Sequence, residues 1–435
     1  MCGANEASSM KALGYRCSVC GDEYDLDQAT YTCPTDGGNL DVVLDYSAIS
    51  AKVAPHNITA SNDFSIWRYA PLLPVEDPGF VGTPLRSVGW TPMFSPGRLS
   101  QRLGLENLWL KDDGRNPTAS FKDRASAVVV ARAKEIGAET VATASTGNAG
   151  AALAGMAAAA GQPAVILAPK SAPPAKVAQL LIFGALVILV DGTYDQAFDL
   201  TLEASEAFGW YCRNTGYNPF TVEGKKTAAY EICEQLTLSL GHPNRKADQW
   251  RSPDSVFVSV GDGNIITGLH KGFSDLAALG WIDRLPRLIG VQSEGSAAVY
   301  NAFRAGEKTI RPVRADTIAD SISVDLPRDG LRALRAVRDT GGEYLAVTDD
   351  EILAAIVTLG REAAVFAEPA GAAAYAGLAK AAAADLVRPE EQVVVLVTGS
   401  GLKDVRAAMQ AAGQAVVIEP TLEALHRELK RVGKV

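Results

Sequence analysis

The sequence has little that suits a membrane or an extracellular environment. Its most apolar run, AQLLIFGALVILV at 178–190, is interrupted by Gly184 and is shorter than the roughly 20 residues that span a bilayer. Six cysteines in 435 residues do not make a disulfide framework, and the N-terminus lacks the charged, apolar and small-residue order of a secretory signal. We therefore expect a cytoplasmic protein without a membrane segment.

A basic surface is also absent. The formal net charge is -9, the sequence pI is near 5.2, and no run of Lys and Arg occurs. A nucleic-acid surface would require clustered basic residues to neutralise phosphates. Small-molecule partners are therefore expected, and the length suggests two or three domains.

The composition divides the chain into segments. Residues 1–45 are rich in Cys, Gly, Asp and Tyr and hold few large aliphatic residues, so they could not form a core alone. Residues 46–100 hold many Pro and Gly and are typical of a linker laid over the surface of the following domain.

From residue 101 onward, short apolar strands alternate with Ala-rich helical stretches. Continuous β-branched strands that alternate with helices predict an α/β protein with parallel sheets, and the amount of chain suits two of them. The predicted strands cover 105–112, 139–145, 163–169, 185–191, 254–260, 287–293 and 392–399.

Three loops that follow predicted strands contain small and polar residues. Ligands of α/β sheets bind beyond the carboxyl ends of the strands, so these loops are candidate binding segments. STGNAG (145–150) leads into a helix whose first N–H groups favour a carboxylate, although a simple N-cap by Ser145 or Thr146 fits equally well.

The other two loops are equally open to a structural interpretation. In GDGNIITG (261–268), Gly261 and Gly263 permit a nest of N–H groups for a phosphate, or only a tight turn. TGSGLKD (398–404) offers hydroxyl groups or a glycine-rich turn. In NPTASFKDRA (116–125), Lys122 is either a charged residue at a helix start or a nucleophile.

Taken together, these motifs resemble the fold-type II pyridoxal-phosphate enzymes, and specifically the threonine synthase family. The resemblance runs in order through GLENLWLKDDGRNPTASFKDRA, STGNAG, GALVILVDGTYDQAFDL, NPFTVEGKKTAAYEI, SVGDGNIITGLHKGF, EPAGAAAYAGL and VTGSGLKD. It implies a tryptophan synthase β-like α/β fold with two parallel-rich sheet domains and a homodimer. We expect a zinc-ribbon-like segment at 1–45, a large cofactor-binding domain at 46–115 and 235–435, and a small α/β domain at 116–234.

The resemblance also assigns roles to residues around pyridoxal 5′-phosphate. It implies that Lys122 forms the Schiff base with the cofactor and that Phe121 lies against the pyridine ring. Asn148 would hydrogen-bond the 3′-oxygen of the cofactor, and Thr398 would face the pyridine nitrogen. The substrate carboxylate would bind to Ser145, Thr146 and Gly147, and the cofactor phosphate to Gly261, Asp262, Gly263, Asn264 and Ile265. A neutral hydroxyl at Thr398 favours elimination and replacement over transamination, because it stabilises a protonated ring less than a carboxylate would.

The stretch NTGYNPFTVEGKKT (214–227) departs from the family pattern NSxNPxRxEGQKT. Alignment on Asn-Pro puts Gly216 and Thr221 where the family has the Ser and Arg that help bind the phosphate of O-phosphohomoserine. Lys225 restores a positive charge, but as a point charge rather than a bidentate fork. The departure leaves the substrate open.

A second departure concerns the type of reaction. ADSIS (319–323) and EPAGAAAYAGL (368–378) are similar to segments of the serine/threonine dehydratases. The leading interpretation is a pyridoxal-phosphate lyase that forms threonine from O-phosphohomoserine through Lys122. The alternatives are a dehydratase-like β-elimination, a β-replacement on O-phosphoserine as in cysteate synthases, and a binding or regulatory protein that kept the fold.

The N-terminal segment contains a candidate metal site. Cys17-x2-Cys20, twelve residues, and Cys33-x2-Asp36 have the spacing of a zinc ribbon with its fourth cysteine replaced. A carboxylate is a harder ligand than a thiolate, so a structural zinc and a knuckle held by packing alone are equally open. His56 is a conceivable substitute ligand.

Overall fold

Three sheets organise the part of the chain that the computed structural model describes, residues 12–172, 174–242 and 248–434. The strands are β1 (Ala12–Cys17), β2 (Glu23–Tyr24), β3 (Leu40–Leu44), β4 (Met93–Phe94), β5 (Asn107–Asp112), β6 (Val141–Ala144), β7 (Ala164–Pro169), β8 (Leu186–Val190), β9 (Tyr211–Cys212), β10 (Ser255–Ser259), β11 (Arg287–Ser293), β12 (Glu343–Val347) and β13 (Gln392–Val397).

Helices connect these strands and cover the sheets. They are α1 (Tyr46–Ser50), α2 (Pro55–Thr59), α3 (Gly97–Leu103), α4 (Lys122–Glu135), α5 (Asn148–Ala159), α6 (Pro174–Ile182), α7 (Tyr194–Phe208), α8 (Phe220–Lys225), α9 (Thr227–Leu240), α10 (Asn264–Ala278), α11 (Ala298–Arg304), α12 (Gly330–Asp339), α13 (Asp349–Ala363), α14 (Pro369–Ala383), α15 (Val405–Ala412) and α16 (Leu422–Arg431).

Two of the sheets are built from parallel strands. The larger has the order β12-β11-β10-β13-β5-β4, in which only the β4–β5 pair is antiparallel. The smaller has the order β8-β7-β6-β9 and is parallel throughout. The central strands β10 and β13 are apolar along their length because helices cover both of their faces. The predicted α/β fold with two parallel-rich sheets is confirmed.

The seven predicted strands are all present, and three other strands of the two parallel-rich sheets were missed. β4 and β9 have two residues each, too few for a recognisable pattern. β12 is an edge strand with several half-buried positions, so EYLAV lacks the continuous apolar run of a buried strand. β9 matters for function because the chain leaves it directly into the candidate site.

The two parallel-rich sheets draw their strands from different parts of the chain, which is compatible with two domains but does not fix their boundaries. Strands of the larger sheet lie within 93–112 and 255–397, and those of the smaller sheet within 141–212. The boundary expected between 234 and 235 falls inside α9. The division into 46–115 with 235–435 and 116–234 stays a prediction.

The interpretation of residues 46–100 as a surface linker is wrong. A 3₁₀ helix at Ile66–Leu72 buries most of its side chains, and Leu85 and Val88 are fully buried. Pro and Gly interrupt α-helical periodicity, but they are compatible with 3₁₀ turns that place aromatic and aliphatic residues in the core. This segment is therefore part of the main core.

The N-terminal sheet is antiparallel, with the order β2-β1-β3, and lies against the rest of the chain. Arg335 donates to the carbonyl of Ser18 at 2.7 Å, and Arg332 donates to the carbonyl of Leu40 at 3.1 Å. Among the described helices, none is long and apolar enough to cross a membrane.

Candidate active site

The stretch that carries Lys122 is held at the carboxyl edge of the larger sheet. The N–H of Phe121 donates to the carbonyl of Thr398 at 2.8 Å, and the N–H of Ser400 donates to the carbonyl of Ala119 at 3.1 Å. Ala119 has a φ of +64°, a left-handed conformation that most residues other than Gly, Asn and Asp adopt at a cost in free energy. The loop after β13 thus fixes the position at which α4 begins.

A buried ionic network anchors the first turn of α4. Arg124 donates to Asp113 Oδ2 at 2.6 Å and to Glu231 Oε1 at 2.6 Å, and Lys111 donates to Glu231 Oε2 at 2.6 Å. All four side chains are fully buried, so removal of one member would leave an uncompensated charge in the interior. The network places the Lys122 backbone without contacting its amine.

The loops after several strands enclose one cavity of about 800 Å³ between the two parallel sheets. This cavity joins most of the residues that the sequence selected. Those that line it are Lys122, Ser145, Thr146, Gly147, Asn148, Lys225, Gly261, Asp262, Gly263, Asn264, Ile265 and Thr398. Phe121 and Thr221 are fully buried behind its wall, where the Arg124 guanidinium lies 5.5 Å from the Phe121 ring centroid.

The Lys122 amine is poised for nucleophilic or base chemistry. Burial and the nearby Arg213 guanidinium together lower its pKa to about 8, against the opposing effect of Glu368 and Asp262. Within the described part of the chain, the amine has no hydrogen-bond or ion-pair partner. A neutral amine is therefore accessible near physiological pH, which a solvated lysine is not.

The loop before α5 is arranged for an anion rather than for a side-chain cap. Gly147 is the N-cap residue of α5, and no side-chain hydrogen bond caps this helix. The Ser145 hydroxyl instead accepts from the N–H of Gly147 at 3.2 Å. The interpretation of Ser145 or Thr146 as a simple N-cap is wrong, and the uncapped start of α5 lines the cavity.

Asn148 meets a carboxyl group that the sequence interpretation left unassigned. Its Nδ2 donates to Glu368 Oε1 at 2.7 Å. Glu368 is the residue before α14 and is buried, and burial raises its pKa to about 7 while the Asn148 bond opposes the rise. Its place at the start of EPAGAAAYAGL, next to a helix N-terminus, was the signal that could have found it.

The loop after β10 forms a cradle of backbone N–H groups. Gly263 has a φ of +94°, and a Cβ there would lie 2.8 Å from the carbonyl oxygen of Asp329, so only glycine fits. Gly263 is the N-cap residue of α10, a helix of 15 residues whose N-terminus is not capped by a side chain. The Asp262 carboxylate accepts from the N–H of Arg328 at 3.3 Å. The donor set fits a phosphate dianion.

Two residues of NPFTVEGKKT converge on this cradle. The Thr221 hydroxyl donates to Asn264 Oδ1 at 3.2 Å, and the Lys225 ammonium donates to the same oxygen. Lys225 is fully buried, and burial together with the nearby Lys122 holds its pKa well below the ordinary lysine value. The structure thus places the Lys225 charge at the phosphate cradle.

Arg213 follows β9 directly and lines the same cavity. Its side chain is fully buried, donates from NH1 to the Thr215 hydroxyl at 2.6 Å, and donates from Nε to the Ser126 hydroxyl at 3.2 Å. Its NH2 group has no partner among the described residues. Sequence reasoning missed Arg213, because a strand of two residues gave no signal that a loop beyond a strand begins there.

Gly216 explains why the family serine is absent nearby. Its φ is +72°, and a Cβ there would lie 2.6 Å from the Cβ of Arg328. A serine at this position would be strained whatever its role.

The four candidate metal ligands also come together, far from the cavity. Cys17 Sγ lies 3.3 Å from Asp36 Oδ1, and Cys20 Sγ lies 3.8 Å from Cys33 Sγ. All four donor atoms lie within 4.8 Å of one another. His56 is engaged elsewhere, with its Nδ1 2.7 Å from Asp248 Oδ1.

A lysine without an ion-pair partner among the described residues and a loop suited to a phosphate share one cavity of an α/β fold, an arrangement that fits a fold-type II pyridoxal-phosphate enzyme. A family model described as pyridoxal-phosphate dependent enzyme matches residues 85–399. Threonine synthase from Methanocaldococcus jannaschii is 38% identical over 419 residues, 96% of this chain and 99% of that protein. Threonine synthase from Methanosarcina acetivorans is 37% identical and covers 95% and 98% of the two chains.

Solved structures show the same fold. The processed form of threonine deaminase isoform 2 from Solanum lycopersicum is 25% identical, with a TM-score of 0.63 over 77% of this chain and 86% of that chain. Diaminopropionate ammonia lyase from Escherichia coli is 20% identical, with a TM-score of 0.65 over 81% and 93%, a likeness of fold alone.

The chain belongs to the pyridoxal-phosphate dependent enzymes and, among them, to the threonine synthase family. It is a lyase whose cofactor is pyridoxal 5′-phosphate. The half-buried amine of Lys122, with its lowered pKa, and the glycine-dependent cradle at Gly263 fit the carbonyl and the phosphate of this cofactor.

Proposed function

We propose that the enzyme converts O-phosphohomoserine and water to threonine and phosphate. One observation carries the proposal: Arg213 and Lys225 are fully buried and Lys122 is half-buried on one cavity, and in the described part of the chain none of the three has a carboxylate within ion-pair distance. Buried basic groups that lack an ion-paired carboxylate favour anionic ligands, so the cavity suits more than one anion. The cofactor phosphate supplies one, and a phosphorylated amino acid supplies a carboxylate and a second phosphate.

In this proposal each group has a defined task. Lys122 holds the cofactor until the substrate amine takes its place, and the released Nζ then removes the proton from the substrate Cα. When bound, pyridoxal phosphate delocalises the electron pair that this step leaves on Cα. The N–H groups at Ser145–Gly147 hold the substrate carboxylate, and Thr398 contributes a hydroxyl at the ring. Asn148 and Glu368 act as positioning residues through their mutual hydrogen bond.

Lys225 is assigned to the cofactor phosphate rather than to the substrate. It shares Asn264 with Thr221, and Asn264 is the first residue of α10, next to the cradle. A point charge suits a phosphate that is already surrounded by N–H groups, because no further directionality is needed. Thr221 stands where the family has its arginine, but its hydroxyl binds Asn264, so it is assigned to the same cradle rather than to the substrate phosphate.

The dehydratase alternative fits the cavity less well. Serine and threonine carry a carboxylate but no second anion, so their binding would leave Arg213 without a counter-ion. The feature in its favour is Ser321 of ADSIS, whose hydroxyl lies 3.4 Å from Asn148 Nδ2. A β-replacement on O-phosphoserine satisfies the same charge argument and is separated from threonine synthesis by its product.

A substrate panel tests the proposal. The cofactor-loaded enzyme is incubated separately with O-phosphohomoserine, O-phosphoserine, threonine and serine, and phosphate, ammonia, keto acid and threonine are measured. We expect equal amounts of phosphate and threonine from O-phosphohomoserine. Ammonia and keto acid from threonine or serine, with no phosphate released from O-phosphohomoserine, would overturn the proposal in favour of the dehydratase. Lys122→Ala is the control for turnover that does not use the site.

A further inference from the structure

Arg213 differs from the other buried arginines in its ion pairing. The structure describes four buried arginines, and three of them pair with carboxylates: Arg68 with Glu234, Arg124 with Asp113 and Glu231, and Arg332 with Asp329. Among the described residues, Arg213 bonds two hydroxyl groups and has no carboxylate within ion-pair distance. A permanently charged group buried among neutral donors and acceptors is unfavourable unless a ligand completes its environment.

The position of Arg213 relative to the other binding groups indicates which ligand this is. The cofactor phosphate has its own cradle at Gly261–Ile265 with Lys225, and the substrate carboxylate has the N–H groups at Ser145–Gly147. Arg213 lines the same cavity beside Lys122, whose pKa it lowers. The remaining negative group of a phosphorylated substrate is its phosphate.

We propose that Arg213, oriented by Thr215 and Ser126, binds the phosphate of the substrate and replaces the arginine that the family carries at the position of Thr221. The inference rests on the proposed function and names the residue that determines its substrate class. Bonds from NH1 to Thr215 and from Nε to Ser126 fix the plane of the guanidinium and leave NH2 for the ligand. A planar fork held in this way suits a phosphate dianion.

The test compares Arg213→Met and Arg213→Lys in the cofactor-loaded enzyme. Binding of O-phosphohomoserine, inorganic phosphate and homoserine is followed through the visible absorbance of the bound cofactor. Loss of charge-assisted hydrogen bonds predicts that Arg213→Met weakens binding of both phosphate ligands about tenfold to a hundredfold and leaves homoserine binding within about twofold. Arg213→Lys, which keeps the charge without the fork, should fall between.

The melting temperature is a second readout. If Arg213 had only a structural role, its replacement would lower the melting temperature, whereas a ligand-binding role predicts that it rises. Arg213→Met removes an uncompensated buried charge, so the ligand-free variant should melt at a higher temperature than the wild type. Arg124→Met, in which the arginine is paired, should melt lower. Arg132→Gln, in the same helix as Lys122 but outside the cavity wall, should leave binding of all three ligands unchanged.

The outcomes separate this inference from the proposed function. Equal weakening of phosphorylated and unphosphorylated ligands, or a lower melting temperature in Arg213→Met, would overturn the role of Arg213. Turnover of O-phosphohomoserine that is insensitive to Arg213→Met would keep the function and remove the inference. If the wild type does not turn over O-phosphohomoserine and Arg213→Met still weakens phosphate binding, the proposed function is removed and the role of Arg213 is kept.

The N-terminal cluster carries a second inference, from different observations. Tetrahedral zinc with Zn–S bonds of about 2.3 Å requires sulfur atoms about 3.8 Å apart. Cys20 Sγ and Cys33 Sγ are 3.8 Å apart, well beyond a disulfide bond. The N–H of Val19 donates to Cys17 Sγ at 3.3 Å, and the N–H of Gly38 donates to Asp36 Oδ1 at 2.8 Å, contacts that stabilise anionic ligands.

The segment that this cluster closes lies against the loop that carries Arg213. The Tyr31 ring stacks on Tyr217 with centroids 4.5 Å apart, and the Tyr31 hydroxyl accepts from the N–H of Cys212 at 2.9 Å. Asn39 donates from Nδ2 to the carbonyl of Gly216 at 2.5 Å. Residues on both sides of Arg213 are therefore held by the N-terminal segment.

We infer that Cys17, Cys20, Cys33 and Asp36 bind one zinc ion and that the bound zinc stiffens the loop 212–217. The test uses the full-length enzyme. It measures the metal content, the KM for O-phosphohomoserine and the Kd for homoserine. We expect about one zinc per chain in the wild type, less in Cys33→Ser, tighter retention against a chelator in Asp36→Cys, and no change in Cys233→Ser. Chelation should raise the KM for the phosphorylated substrate severalfold.

Two results would overturn this inference separately. A wild-type protein grown with added zinc that holds none, while Asp36→Cys holds one, would remove the native metal site. Zinc that can be withdrawn without any change in KM, melting temperature or proteolysis within 212–217 would remove the link to the Arg213 loop.

Discussion

Asn148 Nδ2 donates to Glu368 Oε1 at 2.7 Å, a bond between residues 220 positions apart in the chain. Both side chains are buried on the wall of the cavity that holds the Lys122 amine. The bond joins α5, which follows the smaller sheet, to α14, which covers the larger one. The ionisation of Glu368 is therefore linked to the relative position of the two sheets.

Glu368→Gln should change the pH dependence of stability. The pKa of Glu368 is raised to about 7 in the folded protein, so its stabilising contribution is full below the unfolded value and is lost as the pH rises through about 7. In the cofactor-free wild type this group should lower the free energy of unfolding by up to about 3 kcal/mol between about pH 5 and pH 8. Glu368→Gln keeps an acceptor for Asn148 and should lack this component.

Urea denaturation at several pH values measures the difference between the two proteins. The pKa of Asp123 is raised to about 6 by burial and contributes in the same direction in both, so only the difference reports on Glu368. Parallel stability curves for the wild type and Glu368→Gln would show that the carboxyl group does not titrate in this range.

Lys122→Ala should remove both the covalent hold on the cofactor and the base. The visible absorbance band of the bound cofactor should change to that of free pyridoxal phosphate, and kcat should fall by about a hundredfold to ten thousandfold or more. Lys170→Ala removes an exposed lysine and is the matched control. Retention of the wild-type band in Lys122→Ala would place the covalent link on another residue.

Ala119→Gly should stabilise the protein. The residue has a φ of +64°, which costs an alanine about 1–2 kcal/mol, and glycine recovers this less its own larger entropy loss. The expected gain is up to about 1 kcal/mol in the free energy of unfolding, measured by denaturant titration. Ala131→Gly, at a buried position inside α4, should instead lose stability. A loss in both variants would contradict the strain at Ala119.

Lys225→Gln should weaken cofactor binding more than substrate binding. It removes a buried charge next to the cradle while Thr221 still holds Asn264. We expect the Kd of pyridoxal phosphate for the cofactor-free protein to rise about tenfold to a hundredfold, measured by absorbance titration. At saturating cofactor, the KM for the amino-acid substrate should stay within about twofold. A selective rise in that KM would return Lys225 to the substrate site.

Much of the site was predictable because its parts are local in the chain. Loops beyond the carboxyl ends of parallel strands were expected to bind ligands. GDGNIITG and TGSGLKD follow strands of the larger sheet, STGNAG follows β6 of the smaller sheet, and all three line one cavity. The same argument missed Arg213, since β9 is too short to be recognised as a strand. It also misjudged residues 46–100, because 3₁₀ turns bury side chains without a regular apolar period.

The sequence by itself determined the α/β fold from its strand patterns and, through short motifs whose residues are neighbours in the chain, the cofactor and Lys122 as the proposed Schiff-base residue. Only the tertiary structure decided which charges have partners. It paired Asn148 with Glu368, brought Lys225 to Asn264 beside the proposed phosphate cradle, and left Arg213 with no carboxylate at ion-pair distance among the described residues. Burial and distance set the energy of a charge, and both arise from segments that are far apart in sequence.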